Sequence, residues 1–182
     1  MNKISSFKKD IFFIFFVSFG IFLNCLLESL GIEYFYLPDF FASFSFACIF
    51  IVPPCVYTAL SIFGFNYAFR NSSHSSFDYI NENTDQDYKI MYESLGVDFW
   101  IYSIAYYFLC NLGSSKEIRP KRNDIFIFSI IIILSYLLKL SLMIIFNLQP
   151  DVSAIVIKML ITILFFPFSW LFVYIMRKRV IE

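Results

Sequence analysis

The sequence predicts an all-α, polytopic membrane helix bundle with six transmembrane helices and both termini in the cytoplasm. Of the 182 residues, 59% are hydrophobic and only 15% are charged, whereas soluble domains are about 45–50% apolar and about 25% charged. Residues 155–175 form the clearest of several long apolar runs. At ~1.5 Å rise per residue, about 20 helical residues cross a ~30 Å hydrocarbon core. One small core cannot bury this much apolar surface, so we expect residues 1–182 to form a single integral membrane domain.

Basic residues predict the orientation of the chain. Arg177, Lys178 and Arg179 end the last apolar run abruptly, residues 116–122 hold a second basic cluster, and residues 1–10 are also basic. Lys and Arg accumulate on the cytoplasmic side of a membrane. All three segments are therefore predicted to lie inside.

Six apolar runs are predicted to form the helices. They cover residues 11–27, 40–52, 55–69, 97–112, 125–146 and 155–175. The first run exceeds the usual ~7–15 residues of a signal-peptide core and lacks a small-x-small cleavage site, so we interpret it as an uncleaved helix. The polar segment 70–94 contains more acidic than basic residues, which predicts an outside loop.

Residues 40–69 allow two interpretations, because Pro53 and Pro54 interrupt an apolar stretch. Proline breaks a helix interior, so the stretch is either one kinked span or two short helices. Two helices place every basic cluster inside, and we choose them on that ground. Each would be short for a full crossing, which implies local thinning of the bilayer or burial by neighbouring helices. Pro38 and Asp39 are predicted to start the first of them.

Small residues predict where these helices pack closely. Ser43 and Ala47 form one small-xxx-small pair, and Gly64 and Ala68 form another. Such pairs allow helix backbones to approach one another in lipid. We expect a tightly packed hairpin inside the bundle.

Three ionisable residues lie within or beside the predicted membrane spans, toward the outer side: Asp98, Lys139 and Lys158. Charged groups at membrane depth are costly unless they are paired or hydrated, so each is a candidate functional residue. Three interpretations remain open. Both lysines extend to the outer interface while Asp98 caps its helix, or the residues form a structural buried pair, or they line an outward-facing ligand pocket. The aromatic residues nearby are expected to lie at the lipid interface or in packing contacts: Trp100, Tyr102, Tyr106, Trp170 and Tyr174.

The sequence shows no enzyme signature. It has no metalloprotease, nucleophile-elbow or phosphate-loop motif, and its one histidine, His74, lies in the polar segment. Four separated cysteines and a net charge of zero suggest neither a metal site nor nucleic-acid binding. We expect a non-enzymatic protein without a metal or cofactor.

Three stretches together resemble MreD, the rod-shape-determining membrane protein family. The first is residues 37–42, followed by the proline pair and a glycine. The second runs from residues 94–97 to a tyrosine pair at 106–107, and the third runs from residues 158–162 through a proline to the basic C-terminal triplet. The positions that match the family's pattern are Pro38, Asp39, Gly64, Gly96, Thr162 and Pro167.

This resemblance implies a membrane scaffold of the bacterial cell-elongation complex. Such a protein binds MreC in the cytoplasmic membrane. Through MreC it links the MreB filament to a peptidoglycan glycosyltransferase and transpeptidase pair, and thereby influences cell shape. Beyond these proteins, the expected partner is the lipid bilayer.

An alternative resemblance is to the substrate-binding component of an energy-coupling-factor vitamin transporter. In that case Asp98, Lys139 and Lys158 would line an outward pocket. Those components carry an Ala-xxx-Ala docking face on the first helix, whereas residues 12–17 are bulky here. A queuosine-precursor-type carrier would need more polar lining than the sequence offers.

Overall fold

The computed structural model describes residues 3–32, 36–72, 96–112, 122–146, 148 and 150–180, and this part of the chain is built from helices. The helices are α1 Lys3–Ser29, α2 Phe40–Ile51, α3 Val56–Ser72, α4 Val97–Leu112, α5 Arg122–Ile145 and α6 Val152–Val180. They overlap the six predicted ranges, and most extend beyond them. Residues 70–72 of the predicted outside loop are helical, and the rest of that loop lies outside the described residues.

Three of the helices are long and apolar enough to cross a membrane. They contain the segments Phe7–Ser29, Asn123–Ile145 and Val152–Arg179. Below, the end of the bundle where α1 ends and where α4 and α6 begin is called the predicted outer end. The opposite end is called the predicted inner end.

Helix α2 lies at the centre of the bundle, packed mainly against α1 and α6. Eleven of its twelve residues are buried, because its sequence is apolar on every side and such a helix is stable only when it is surrounded. Asp39 caps its N-terminus by accepting a hydrogen bond from the Ala42 amide at 2.9 Å. The predicted helix start is thus confirmed.

The proline pair ends α2 and separates it from α3, so the prediction of two helices is confirmed. Helix α2 ends at Ile51 and is followed by its C-cap residue Val52, whose N–H donates to the Cys48 carbonyl. Helix α3 begins at Val56. At the start of α3, the Cys55 amide donates to the Asp10 carboxylate at 2.7 Å. This bond ties α3 to the predicted inner end of α1.

Helix α2 begins near the middle of the bundle's height. The Asp39 amide donates to the Thr162 hydroxyl, which lies ten residues, ~15 Å, beyond the start of α6. The backbone of Phe40 lies beside Gly20, nine residues, ~14 Å, before the end of α1. A twelve-residue helix is ~18 Å long and cannot cross ~30 Å of hydrocarbon alone. The helix predicted at 40–52 therefore exists but does not span a membrane by itself.

The close approach of helix backbones lies at Gly20, not at the pair predicted on α3. A Cβ atom at Gly20 would lie 2.9 Å from the Phe40 carbonyl oxygen, whereas one at Gly64 would lie 3.8 Å from the Phe99 ring. Ala68 is exposed. The prediction of a tightly packed hairpin of α2 and α3 is therefore wrong, because α2 packs mainly against α1 and α6. Ser43 and Ala47 are fully buried.

We expect Gly20→Ala to destabilise the protein by about 1–3 kcal/mol, because the new methyl group meets backbone atoms that cannot move aside. The matched control is Gly64→Ala, whose methyl group has room and improves helix propensity, so its effect should be neutral to slightly stabilising. Unfolding in mixed detergent micelles, followed by circular dichroism, compares the two. Equal losses would show that α1 and α2 do not approach closely at Gly20.

Candidate functional site

Two of the three predicted intramembrane residues form an ion pair between α4 and α5. Lys139 Nζ lies 2.6 Å from Asp98 Oδ1, and the two side chains are 15% and 22% exposed. The Lys139 ammonium also lies 4.8 Å from the centre of the Tyr136 ring, a cation–π contact. The pair has limited solvent access and connects two helices near the predicted outer end.

Gly96 gives α4 its position at this pair. Its φ of +58° is a conformation that other residues adopt only with strain, and a Cβ atom there would lie 3.1 Å from the Tyr67 ring. The glycine turns the chain directly into α4, which places Asp98 in the first turn. A carboxylate there interacts favourably with the positive end of the helix dipole.

Lys158 does not extend to an interface. Only 1% of this residue is exposed. Its carbonyl oxygen accepts a hydrogen bond of 2.7 Å from the Thr162 hydroxyl one turn later. The interpretation in which Lys158 reaches the outer surface is therefore wrong.

A buried group of three residues, which we call the Asp39 joint, connects α2, α4 and α6. It consists of Asp39, Tyr102 and Thr162, each at most 1% exposed. The Asp39 amide donates to Thr162 Oγ1 at 2.9 Å, and the Tyr102 hydroxyl donates to Asp39 Oδ2 at 3.2 Å. The carboxylate thus caps α2 with one oxygen and holds α4 with the other.

A buried carboxylate at this depth requires compensation. Transfer of an ionised group into an apolar interior is strongly unfavourable, but Asp39 lies at the N-terminus of α2, where the helix dipole stabilises negative charge. Its two hydrogen bonds add to that stabilisation. The N-terminus of α2 is therefore already occupied by a side chain of the protein itself.

Sequence reasoning named Asp39 and Thr162 separately and missed the role of Tyr102. Tyr102 and Tyr106 were expected at the lipid interface or in packing. Both are buried, and the Tyr106 hydroxyl donates to the Pro54 carbonyl at 2.7 Å. The spacing of Asp98, Tyr102 and Tyr106 by four residues was the available indication, because it places all three on one face of α4.

The ionisable groups form a balanced set. Asp39, Asp98, Lys139 and Lys158 contribute two negative and two positive charges from four separate parts of the chain. Within the described ranges, no group of three His, Cys, Asp or Glu side chains is arranged to hold a metal.

The remaining predicted positions serve the backbone. Pro38 is buried, and its carbonyl oxygen accepts a hydrogen bond of 2.9 Å from the Phe40 amide. Pro167 lies inside α6.

The three cysteines with described side chains, Cys25, Cys48 and Cys55, are free thiols.

The fold and this buried polar network define a helical protein whose long apolar helices embed it in a membrane. Comparison of the chain with protein-family models, with curated proteins and with solved structures finds no match.

The bond to Thr162 should contribute measurably to stability. We expect Thr162→Val to cost about 1–3 kcal/mol, because it leaves the buried Asp39 amide without an acceptor. Thr162→Ser keeps the hydroxyl and should cost clearly less. Detergent unfolding of both variants tests this, and a loss for serine as large as that for valine would point to packing of the methyl group instead.

A double-mutant cycle measures the ion pair. We expect Asp98→Ala and Lys139→Ala to show a coupling free energy of about 1–3 kcal/mol, because each single change leaves a poorly hydrated charge behind. Asp10→Ala combined with Lys139→Ala is the control, since Asp10 interacts with Cys55 at the predicted inner end. That second pair should be additive. Additivity in both cycles would show that Asp98 and Lys139 do not stabilise one another.

Proposed function

We propose that the protein is an MreD-type scaffold, without enzymatic activity, in the bacterial cytoplasmic membrane. In this role it binds MreC. Through MreC it connects the MreB filament with the peptidoglycan glycosyltransferase and transpeptidase pair of the cell-elongation complex.

The observation that carries this proposal is the contact between two of the MreD-like stretches at one point. Asp39 belongs to the first stretch and Thr162 to the third, and the hydrogen bond between them joins positions 123 residues apart. Tyr102, which lies between the two matching parts of the second stretch, donates to the same Asp39 carboxylate. Two separate resemblances that meet in one hydrogen bond support a shared architecture better than isolated matches in apolar runs.

The chemistry of the joint also favours a scaffold. The Asp39 carboxylate is engaged by Ala42 and Tyr102, and its backbone amide is engaged by Thr162. Buried polar groups whose hydrogen bonds are all made within the protein hold the connected helices in place. A rigid bundle of this kind can present fixed surfaces to partner proteins.

For the membrane topology we infer six membrane-embedded helices with both termini in the cytoplasm. Helices α1, α3, α4, α5 and α6 cross the bilayer, and α2 contributes the inner half of a sixth passage. The basic triplet at the end of α6 then lies inside, as the positive-inside tendency requires.

Mild-detergent purification of the tagged protein from its native membranes, read by mass spectrometry, tests the proposal. We expect MreC, with a glycosyltransferase and a transpeptidase, to be enriched over a control purification of an unrelated tagged polytopic protein. Enrichment of a pair of coupling ATPases instead would refute the scaffold and favour the transporter component. Asp98, Lys139 and Lys158 would then be the first residues to substitute in a ligand-binding assay.

A further inference from the structure

The apolar parts of α1 and α3 have different heights above a shared starting level. The Asp10 carboxylate of α1 accepts a hydrogen bond from the Cys55 amide, directly before α3, at the predicted inner end. Outward from this bond, the next charged residue on α1 is Glu28, 18 residues or ~27 Å further. On α3 it is Arg70, 15 residues or ~22 Å further. The apolar part of α3 therefore ends ~5 Å lower than that of α1.

Helix α4, which packs against α3, begins at a lowered level too. Gly96, the residue before α4, lies against the Tyr67 ring, and Tyr67 is 12 residues, ~18 Å, beyond Cys55. Further inward, the Tyr106 hydroxyl donates to the Pro54 carbonyl, and Tyr106 is ten residues, ~15 Å, from Gly96. Both counts place the start of α4 roughly 15–18 Å above the level from which α1 rises ~27 Å.

The ion pair shows the same difference in height between α4 and α5. Lys139 of α5 lies 2.6 Å from Asp98 in the first turn of α4. Beyond Lys139, α5 continues outward for six residues, ~9 Å, to Ile145. Ile144 and Ile145 are 60% and 70% exposed, so α5 presents an apolar surface well above the charged pair.

A lowered membrane surface reconciles the charged pair with these apolar residues. Charged groups inside the hydrocarbon are stabilised when the bilayer thins locally and water reaches them, and short helices induce such thinning. Trp100, two residues inward of Asp98, is 60% exposed, and tryptophan is enriched at membrane–water interfaces. Helix height, charge and the exposed indole therefore all favour lipid headgroups at the outer end of α4.

We propose that the protein thins the outer leaflet beside α3 and α4, so that lipid headgroups and water reach the Asp98–Lys139 pair. Beside α1 and α6 the leaflet keeps its full thickness. This inference rests on the proposed crossing of the bilayer by α3 and α4. It does not depend on a protein partner, so it can fail while the scaffold role stands, and the reverse also holds.

The test measures the depth of two nitroxide labels in the full-length protein, reconstituted in dioleoyl phosphatidylcholine vesicles. Trp100 or Ser18 is replaced by p-acetylphenylalanine, which carries the label and leaves the cysteines unchanged. Trp100 is four residues inward of Gly96 and Ser18 is eight residues outward of Asp10, so both lie ~12 Å above the shared level. Both are exposed. Power-saturation electron paramagnetic resonance with oxygen and a water-soluble nickel chelate gives each depth.

We expect the Trp100 label to lie ~10 Å closer to the outer headgroups than the Ser18 label, because Trp100 is two residues from Asp98 whereas Ser18 is ten residues from Glu28. Equal depths would overturn the proposal, since they indicate a flat outer surface. A Trp100 label shielded from both oxygen and nickel would also overturn it, because protein would then cover this face. Nickel access as high as in bulk water would show that α4 lies outside the membrane.

A second comparison tests the ion pair. The double variant Asp98→Leu with Lys139→Leu should move the Trp100 label deeper by ~5 Å, because no charge then holds water at this level. The exchange variant Asp98→Lys with Lys139→Asp should keep the original depth, which separates loss of charge from loss of fold. An unchanged depth in the leucine variant would refute the role of the pair. If that variant does not fold, the comparison of the Trp100 and Ser18 labels decides.

Discussion

The structure depends on satisfying the N-terminus of a helix that begins in the middle of the bundle. The first amides of any helix lack partners within the helix, and at this depth no bulk water is available to them. Here the Asp39 amide donates to Thr162, and the Phe40 amide donates to the Pro38 carbonyl. The Ala42 and Ser43 amides donate to the side chain and the backbone carbonyl of Asp39. Residues 38–43 and Thr162 thus satisfy most of the amides that would otherwise lack hydrogen-bond partners at the start of this helix.

The position of α2 then determines the positions of its neighbours. Because Thr162 supplies an acceptor, α6 cannot slide along α2 without losing that bond, and Tyr102 fixes α4 in the same way. At its other end, α2 stops at the proline pair, where Tyr106 and the Pro54 carbonyl tie the turn to α4. Three helices therefore share one register.

Much of the helical framework could be predicted from the sequence, because apolar run length, the proline pair and the Asp39 cap are local features. The depth of α2 could not be predicted in this way. Counting residues along each run assumes that every helix starts at the membrane surface, and α2 does not. The burial of Lys158 and the hydrogen bond of Tyr102 to Asp39 were missed for a related reason. Each depends on contacts between segments far apart in the chain, which no local periodicity contains. The close approach at Gly20 was missed because its partner, the Phe40 backbone, belongs to another helix.

The location of the polar residues reflects how a bundle is specified in lipid. Between apolar helices the hydrophobic effect gives little preference for one arrangement, since lipid tails solvate Phe and Leu as well as a neighbouring helix does. The phenylalanine packing around α2, such as the stacking of Phe128 on Phe166 at 3.7 Å, fills space but leaves the register open. Register requires directional contacts, and these are the Asp39 joint and the Asp98–Lys139 pair. The steric contact at Gly20 adds a further constraint between α1 and α2. The scaffold role proposed above would require this specificity more than it would require additional stability. The buried charges are then best explained as the source of a single, well-defined shape.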